Sequence, residues 1–409
     1  AYFVGKLGVY VSSCDERRLG QWDDVSWKDF IREDQMSAEY RTVMSRSLVR
    51  NLAATKSSDA STHSIGLVGE ASVMSLMGRG NDQDATFDRV LDGPTSEVWL
   101  DHWVAQLERL GVTFRVGWTV KRLAHERGRI AYARATDRRG AKHTIDADWF
   151  VCAAPLERTA ALLNDAILTA DPSLASIRRL RTDWMVGLVF YLRRPLALTH
   201  GHVNYVDSPW AITSISQAQF WGDLSRYGDG SVKESFSTII SDWETPGILY
   251  GKAARDCTPQ EVAEETWAQI KAHLNDHEPG TLRDEDRHSW CLDPAMKPTA
   301  AGGLANDTPL FIQNPGSWRD RPESKTGIHN LFLAGDWVKT KINVTTMDGA
   351  NQGGRTAANA LLDAAGSNQP KAAVHGLYVP PEFELFKTLD RQRYKAGQPN
   401  MFDPDQAKP

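Results

Sequence analysis

The sequence predicts an α/β chain that carries a second unit of α+β character, and three observations support this. Two short runs, Trp149-Phe150-Val151-Cys152-Ala153-Ala154-Pro155 and Leu331-Phe332-Leu333-Ala334, are continuously apolar. Continuous rather than alternating apolarity is the mark of a strand buried on both faces, as in a parallel sheet between helices. Each run neighbours a segment with helical spacing, the signature of an α/β unit. Between the two runs, residues 156–330 carry alternating strands and one long amphipathic helix, read as an α+β domain on an antiparallel or mixed sheet.

Composition sets the outer limits. A chain of 409 residues has room for two or three domains and a real core. Apolar residues at 41% and charged residues at 24% are ordinary for a globular protein, which excludes disordered, collagenous and disulfide-framework classes. The net charge of −5, with no basic tract of five, argues against nucleic-acid binding, where phosphate neutralisation dominates affinity. No stretch approaches the roughly 20 apolar residues of a membrane span, so no transmembrane segment is expected. The start, AYFVGKLGVY, lacks the cationic region of a signal peptide, and its first residue is Ala rather than Met, which reads as a processed or trimmed start. Cys14, Cys152, Cys257 and Cys291 are scattered without CxxC spacing, so neither a zinc site nor a disulfide set is expected and a cytoplasmic location is.

Taken in order, residues 1–90 read as mostly helical. Ser26 caps a helix entering Trp27, and Glu39–Leu52 and Ile65–Met77 have helical spacing, with a loop at 78–82. Residues 91–155 open with a helix over Val98–Leu110. Strands at Val112–Val116 and Trp118–Leu123, a strand pair around Arg139-Gly140, and the apolar run ending at Pro155 follow. In 156–330, Met185–Leu192 and Ser235–Ile240 read as strands, and Thr258 caps a helix to Leu274 with Pro259 at its first position. In 331–365 a strand ends at Gly335-Asp336, and a loop leads to Thr346 and a helix reaching about Ala364. Residues 366–409 read as a wrapping or partly disordered tail with a short helix near Glu382–Leu389.

The chemistry concentrates in Gly335-Asp336-Trp337 and, ten residues on, Thr346-Met347-Asp348-Gly349-Ala350. A strand-terminal acid stands at the carboxyl edge of a sheet, where α/β folds bind ligands, and can accept bonds from hydroxyls of a sugar-like chain. Thr346 is a good N-cap, and the open N–H groups and positive dipole end of the helix favour developing negative charge. An acid at one point and a helix start at another suit a flavin. The plainer alternative is a capped helix packed behind a buried strand, with Gly349, Gly353 and Gly354 serving close approach.

This segment resembles the C-terminal flavin-binding motif of the flavin-containing amine oxidase / phytoene desaturase superfamily, and more closely its carotenoid-desaturase-like branch. Three other stretches fall in that family's order. Asp92–Trp99 resembles the segment before the helix leading back into the nucleotide domain, Val120 matches a position whose backbone meets the adenine, and Ala153-Ala154-Pro155 matches the end of the strand under the flavin. The resemblance covers nearly all of 1–365. It implies FAD as cofactor and an incomplete Rossmann-like FAD-binding domain (91–155 and 331–365) joined to a substrate domain (1–90 and 156–330).

One departure is informative. Members of the superfamily grip the FAD pyrophosphate with a strand, a GxGxxG turn and a helix, and no GxGxxG occurs here. The expectation is a split flavoenzyme: a small partner chain or a removed segment carries that motif, and this chain is the large, substrate-binding part. The family chemistry is transfer of a hydride equivalent from a C–H to the flavin. Many amine oxidases have a lysine opening the central strand after the Ala-Pro element, and an aromatic just before the helix start. Here Trp184–Phe190 contains no Lys, and the residue before Met347 is Thr346. Both favour desaturase-like dehydrogenation of a small or medium hydrophobic molecule over amine oxidation. A non-redox or catalytically silent partner of a flavoprotein is the alternative of another class.

For the substrate side, Trp210 and Trp221 are candidate walls of an apolar slot, and His202 and Tyr205 candidate polar contacts. Most of the 14 tryptophans are expected in the core. Arg181, Arg193 and Arg194 are candidates for a substrate carboxylate, and Lys339 and Lys341 for the cofactor phosphate or an acceptor, with surface charge the alternative for all five.

Overall fold

A computed structural model gives the fold over residues 1–53, 55–79 and 89–407. The first unit is helical. Helix α1 (Tyr2–Ser12), a helical stretch from Ala38 to Ala53 with one π-type segment, and helix α2 (Thr62–Leu76) enclose Tyr10, Trp22, Trp27, Phe30 and Ile31. Ser26 caps its short helix by accepting from the Asp29 N–H at 3.1 Å. Of the loop expected at 78–82, Gly78 and Arg79 lie outside helix, while 80–82 fall outside the described residues.

Helix α3 (Asp101–Arg109) continues from a π-type turn at Ser96–Leu100. The strand expected at Val112–Val116 does not form, because no described strand offers this run a ladder. The chain turns at Gly117 into an antiparallel meander, β1 (Thr119–Glu126), β2 (Arg129–Thr136) and β3 (Lys142–Asp146). Strand β4 (Phe150–Cys152) follows. Helix α4 (Leu156–Leu162) and the short strand β5 (Arg181–Asp183) lead into the second unit.

That unit is a five-stranded sheet in the order β10-β6-β9-β8-β7: β6 (Val186–Leu192), β7 (His202–Asn204), β8 (Ile212–Ser216), β9 (Glu234–Ile240) and β10 (Arg287–Leu292). Every pairing is antiparallel, the first of the two arrangements expected, and no parallel pair makes the sheet mixed. Strand β6 alternates as a one-faced strand should: Val186, Leu188, Phe190 and Leu192 are buried with Val262, Ala263 and Ile270 of helix α5 (Pro259–His277). Helix α5 starts with a full capping box between Thr258 and Glu261, which fixes where the helix begins against the sheet.

The chain then returns, after a hairpin of β11 (Met296–Pro298) and β12 (Leu304–Asn306), through β13 (Leu310–Ile312), paired to β5, into β14 (Leu331–Leu333). Strands β14 and β4 pair in parallel, Leu331 opposite Phe150 and Leu333 opposite Cys152, across about 180 residues of sequence. Strand β14 is fully buried as its composition implies. Strand β4 is not: Val151 is 47% exposed, so one face of β4 stands open.

A single side chain locks this junction. Asn330, fully buried, accepts from the Ile130 N–H at 2.8 Å and donates to the carbonyls of Ile130 (2.9 Å) and Asp148 (3.0 Å). It thereby clamps β2, the approach to β4 and the start of β14 at one point. Beyond helix α6 (Met347–Ala364), the tail is packed rather than loose: Asn359 bonds both ways with the backbone of Ala372, and helix α7 (Glu384–Lys395) docks on the end of α1. There the buried Asp390 accepts from the Cys14 N–H at 2.9 Å and from Arg17 Nε at 3.0 Å. Among the described residues, no helix is long and apolar enough to cross a membrane and no cluster could hold a metal ion.

Two outcomes follow. Asn330→Leu strands the buried N–H and carbonyl of Ile130 and should lower unfolding free energy by about 2–4 kcal/mol, read as a shifted urea midpoint. Asp23, 1% exposed, accepts from Ser61 Oγ at 3.0 Å and the Trp318 N–H at 3.1 Å, and burial pushes its carboxyl up to about 6. The folded state therefore binds the proton more tightly than the unfolded chain, and stability should fall as pH rises from about 4 to 6. Thermal melts of Asp23→Asn should lose that slope.

Candidate functional site

The two segments singled out by sequence meet at one corner. Strand β14 ends in Gly335, whose φ of +130° belongs to glycine, and this turns Asp336 and Trp337 off the sheet edge. The buried Trp337 donates its indole N–H to the carbonyl of Ala154 at 3.0 Å, and the Ala334 N–H donates to Cys152 at 3.0 Å. The ends of β4 and β14 are therefore one structure, with Ala153 and Pro155 exposed beside it.

Behind the corner lies Arg321, 1% exposed. Its Nε donates to the carbonyl of Trp337 at 3.1 Å and its Nη2 to that of Asp336 at 2.9 Å, with further bonds to the Val338 carbonyl and Asn343 Oδ1. Its guanidinium carbon lies about 5.5 Å from the ring centroids of Phe311 and Trp318. Burial pulls the guanidinium down to about 10, against the opposing pull of Asp336 and Asp23, and it stays charged at neutral pH. Asn343, in turn, sits at φ +48° and donates to Ser64 Oγ of α2 at 3.0 Å, tying the loop after Asp336 to the helical unit. Asp336 itself is half-buried. Burial raises its carboxyl above the ordinary range, and its backbone hydrogen bonds and Arg321 oppose that rise.

The second arm is the start of α6. Thr346 caps it, accepting from the Gly349 N–H at 3.1 Å, and the Ala350 N–H bonds the Thr346 carbonyl. The N–H groups of Met347 and Asp348 precede any internal acceptor. Thr346, Met347, Asp348 and Ala350 are all exposed, leaving an open, polar-backbone edge. The glycines divide. A Cβ on Gly353 would meet the Gly335 carbonyl oxygen at 2.4 Å, and one on Gly349 the Val344 carbonyl at 2.6 Å; one on Gly354 would touch nothing. Gly349 and Gly353 thus let α6 lie directly under the loop and turn, as the packing alternative foresaw. Buried Gln352 completes the support, accepting from the Lys341 N–H and donating to the His375 carbonyl.

The other candidates lie elsewhere. Val120 is on β1 opposite Ala135, its side chain exposed. Tyr205 and Trp210 are core residues rather than slot walls: the Tyr205 hydroxyl bonds Ser214 Oγ at 2.8 Å and the Trp210 indole donates to Thr245 at 3.0 Å. His202 stands on β7 opposite Ile215. Trp221 lines a cavity of about 580 Å³ with Val189 and Tyr191 of β6, Leu224, Tyr227 and His288. Its indole nitrogen is buried without a hydrogen-bond partner. Arg181, Arg194 and Lys339 are held by Asp59 (2.7 Å), Asp286 (2.7 Å) and Glu323 (3.4 Å); Arg193 donates to the Arg287 carbonyl, and Lys341 is exposed. Sequence reasoning missed Arg321, Asn343 and Gln352. Arg321 follows Arg319-Asp320 in a charged run that reads as surface, so no local signal marks it.

Comparison with known proteins places this geometry. The family model for flavin containing amine oxidoreductase matches residues 97–362. A carotenoid phi-ring synthase of Chlorobaculum tepidum is 53% identical over 47 residues, 12% of this chain and 7% of that protein. Among solved structures, cyclohexylamine oxidase from Brevibacterium oxydans is 13% identical with a TM-score of 0.54, covering 89% of this chain and 74% of its own. Putrescine oxidase bound to putrescine is 12% identical with a TM-score of 0.55, covering 89% and 72%. An oxidoreductase from Methanosarcina mazei is 16% identical with a TM-score of 0.50, covering 83% and 68%. At these identities the solved structures establish the shared fold.

Gly353→Ala should push α6 off the Gly335 turn and cost about 1–3 kcal/mol, while Gly354→Ala should be neutral or stabilise by up to about 1 kcal/mol. Paired denaturation curves check the contrast. With the match spanning 97–362 and a fold held in common with two named amine oxidases, the chain belongs to the flavin containing amine oxidoreductase family, and FAD is its cofactor.

Proposed function

We propose that this chain is the larger, substrate-binding part of a two-part FAD enzyme that removes a hydride from a C–H of a small or medium hydrophobic molecule, in the manner of a desaturase. The observation that carries the reading is the corner itself: a half-buried acid and an uncapped pair of helix N–H groups on one exposed edge, held rigid from behind. The donor set fits a flavin. Asp336 would accept a hydroxyl of the ribityl chain, and the Met347 and Asp348 N–H groups would face the ring edge that gains negative charge. The bound flavin supplies the hydride acceptor.

The chain's own residues do the rest. Trp337 and Arg321 fix the corner, so the edge needs little reorganisation to meet charge. On the substrate side, Val189, Tyr191 and Trp221 offer an apolar wall. The absence of Lys from Trp184–Phe190 and the presence of Thr346 where amine oxidases often have an aromatic support a carbon–carbon rather than carbon–nitrogen reaction. The short likeness to a carotenoid phi-ring synthase supports the same direction.

Asp336→Ala, losing an ion-assisted hydrogen bond, should weaken FAD retention about tenfold or more. Anaerobic mixing of the FAD-loaded protein with an isoprenoid polyene should bleach the flavin absorbance. Bleaching by aliphatic amines and not by polyenes would move the assignment to amine oxidation. Full FAD retention in Asp336→Ala, with no bleaching by either class, would overturn the reading.

A further inference from the structure

The cavity beside Trp221 draws its walls from separate stretches of chain. Val189 and Tyr191 of β6 belong to the face of the sheet turned away from helix α5, since Leu188 and Phe190 are buried with that helix. Leu224, Tyr227 and Val232 come from the segment 222–232, which joins the short helix Ala218–Trp221 to β9. Pro94 comes from the approach to the turn at Ser96–Leu100. The segment 222–232 is braced from within. Asp223 accepts from the Ser225 N–H at 2.8 Å and Asp229 from the Ser231 N–H at 2.9 Å. The Tyr227 N–H donates to the Leu224 carbonyl at 3.0 Å, and the Gly230 N–H to that of Tyr227 at 3.2 Å. Gly222 opens the segment at φ +69°, and a Cβ there would meet nothing within 4 Å, so conformation rather than crowding calls for glycine. At the far end the Lys233 N–H is anchored on the Leu192 carbonyl of β6 at 2.8 Å.

Glu97 ties this segment to the stretch that carries Pro94. The Tyr227 hydroxyl lies 3.0 Å from both Glu97 carboxylate oxygens, and Arg226 Nη2 lies 3.2 Å from Glu97 Oε2. The Arg226 guanidinium sits over the Tyr227 ring, 4.8 Å from its centroid. The Glu97 N–H donates to the Pro94 carbonyl at 2.9 Å, so the acid and the Pro94 wall share one turn. The Arg226 and Glu97 side chains are 59% and 43% exposed, and exposed ion pairs of this kind are weak enough to break and re-form. We propose that 222–232 is a hinged flap over the cavity, and that Glu97 is the positioning residue that latches it through Tyr227 and Arg226. A segment braced from within moves as a unit, with the backbone rotation absorbed at Gly222 and at the return to Lys233. Opening admits an apolar molecule to Val189 and Tyr191, and closing sets Leu224, Tyr227 and Val232 against it. The inference rests on the function proposed above, which puts the hydrophobic substrate against this wall, and adds what controls its entry.

The test follows entry of a neutral apolar fluorophore, N-phenyl-1-naphthylamine, into the FAD-loaded protein by stopped-flow fluorescence. Glu97→Gln should raise the association and dissociation rate constants together, about threefold each, and leave Kd unchanged, because a latch alters the barrier and not the bound state. Added salt should speed entry in the unaltered protein by screening the exposed pair, and should have no such effect in Glu97→Gln. In a Cys291→Ser background, which removes the exposed thiol, Glu97→Cys with Tyr227→Cys can be bridged by a bis-methanethiosulfonate reagent. The bridge should slow both rates at least tenfold, and reduction should restore them. Val189→Trp, which fills the cavity, should abolish the signal. Rates unmoved by Glu97→Gln and by the bridge, a change in Kd without a change in association rate, or a signal undiminished by Val189→Trp overturns the flap. Bleaching of the flavin by a polyene is read separately. Gated entry without bleaching sinks the substrate reading alone, and bleaching with ungated entry sinks the flap alone.

Discussion

A buried guanidinium organises the functional corner. Arg321 spends its donors on three successive carbonyls, 336 to 338, and on Asn343, so the loop leaving β14 is held by one side chain rather than by a ladder. A buried arginine is costly unless its donors are met, and here four acceptors meet them, with two aromatic rings nearby. The rest of the corner depends on that arrangement. Without it, the carbonyls after Gly335 would need other partners, and Asp336 would have no nearby positive charge to offset its burial.

The same corner shows how packing and chemistry share residues. Gly353 has no chemistry to offer, yet its missing Cβ brings the helix that carries Thr346 against the turn that carries Asp336. The packing reading of the glycines and the cofactor reading of the segment are therefore compatible. Close approach is what brings an acid and a helix start onto a common edge. Trp337 likewise serves both ends, filling the core with its ring while its N–H fastens Ala154.

Much of the architecture was legible in the residues. The capped helices after Thr258 and Thr346, the strand pair around Arg139-Gly140 and the two continuously apolar strands follow from local patterns of period, caps and turns, while the pairing of those two strands with each other does not. Where the reading failed, the missing information was tertiary. The run 112–116 has a strand's alternation but forms none, since a strand exists only with a partner. Tyr205 and Trp210 looked available as polar aromatics, and both found hydrogen-bond partners inside the core of the antiparallel sheet. Trp221, of the same composition, lines a cavity.

The sequence by itself determined the element types, the family motif and the acid and cap that define the candidate cofactor edge, because each is encoded within some twenty neighbouring residues. Only the tertiary structure decided that Arg321 lies beneath that edge, that Asn330 clamps three strands, and which tryptophan faces a cavity. Those facts depend on contacts between residues tens to hundreds of positions apart. Local propensity carries no record of which distant backbone group will meet a buried side chain.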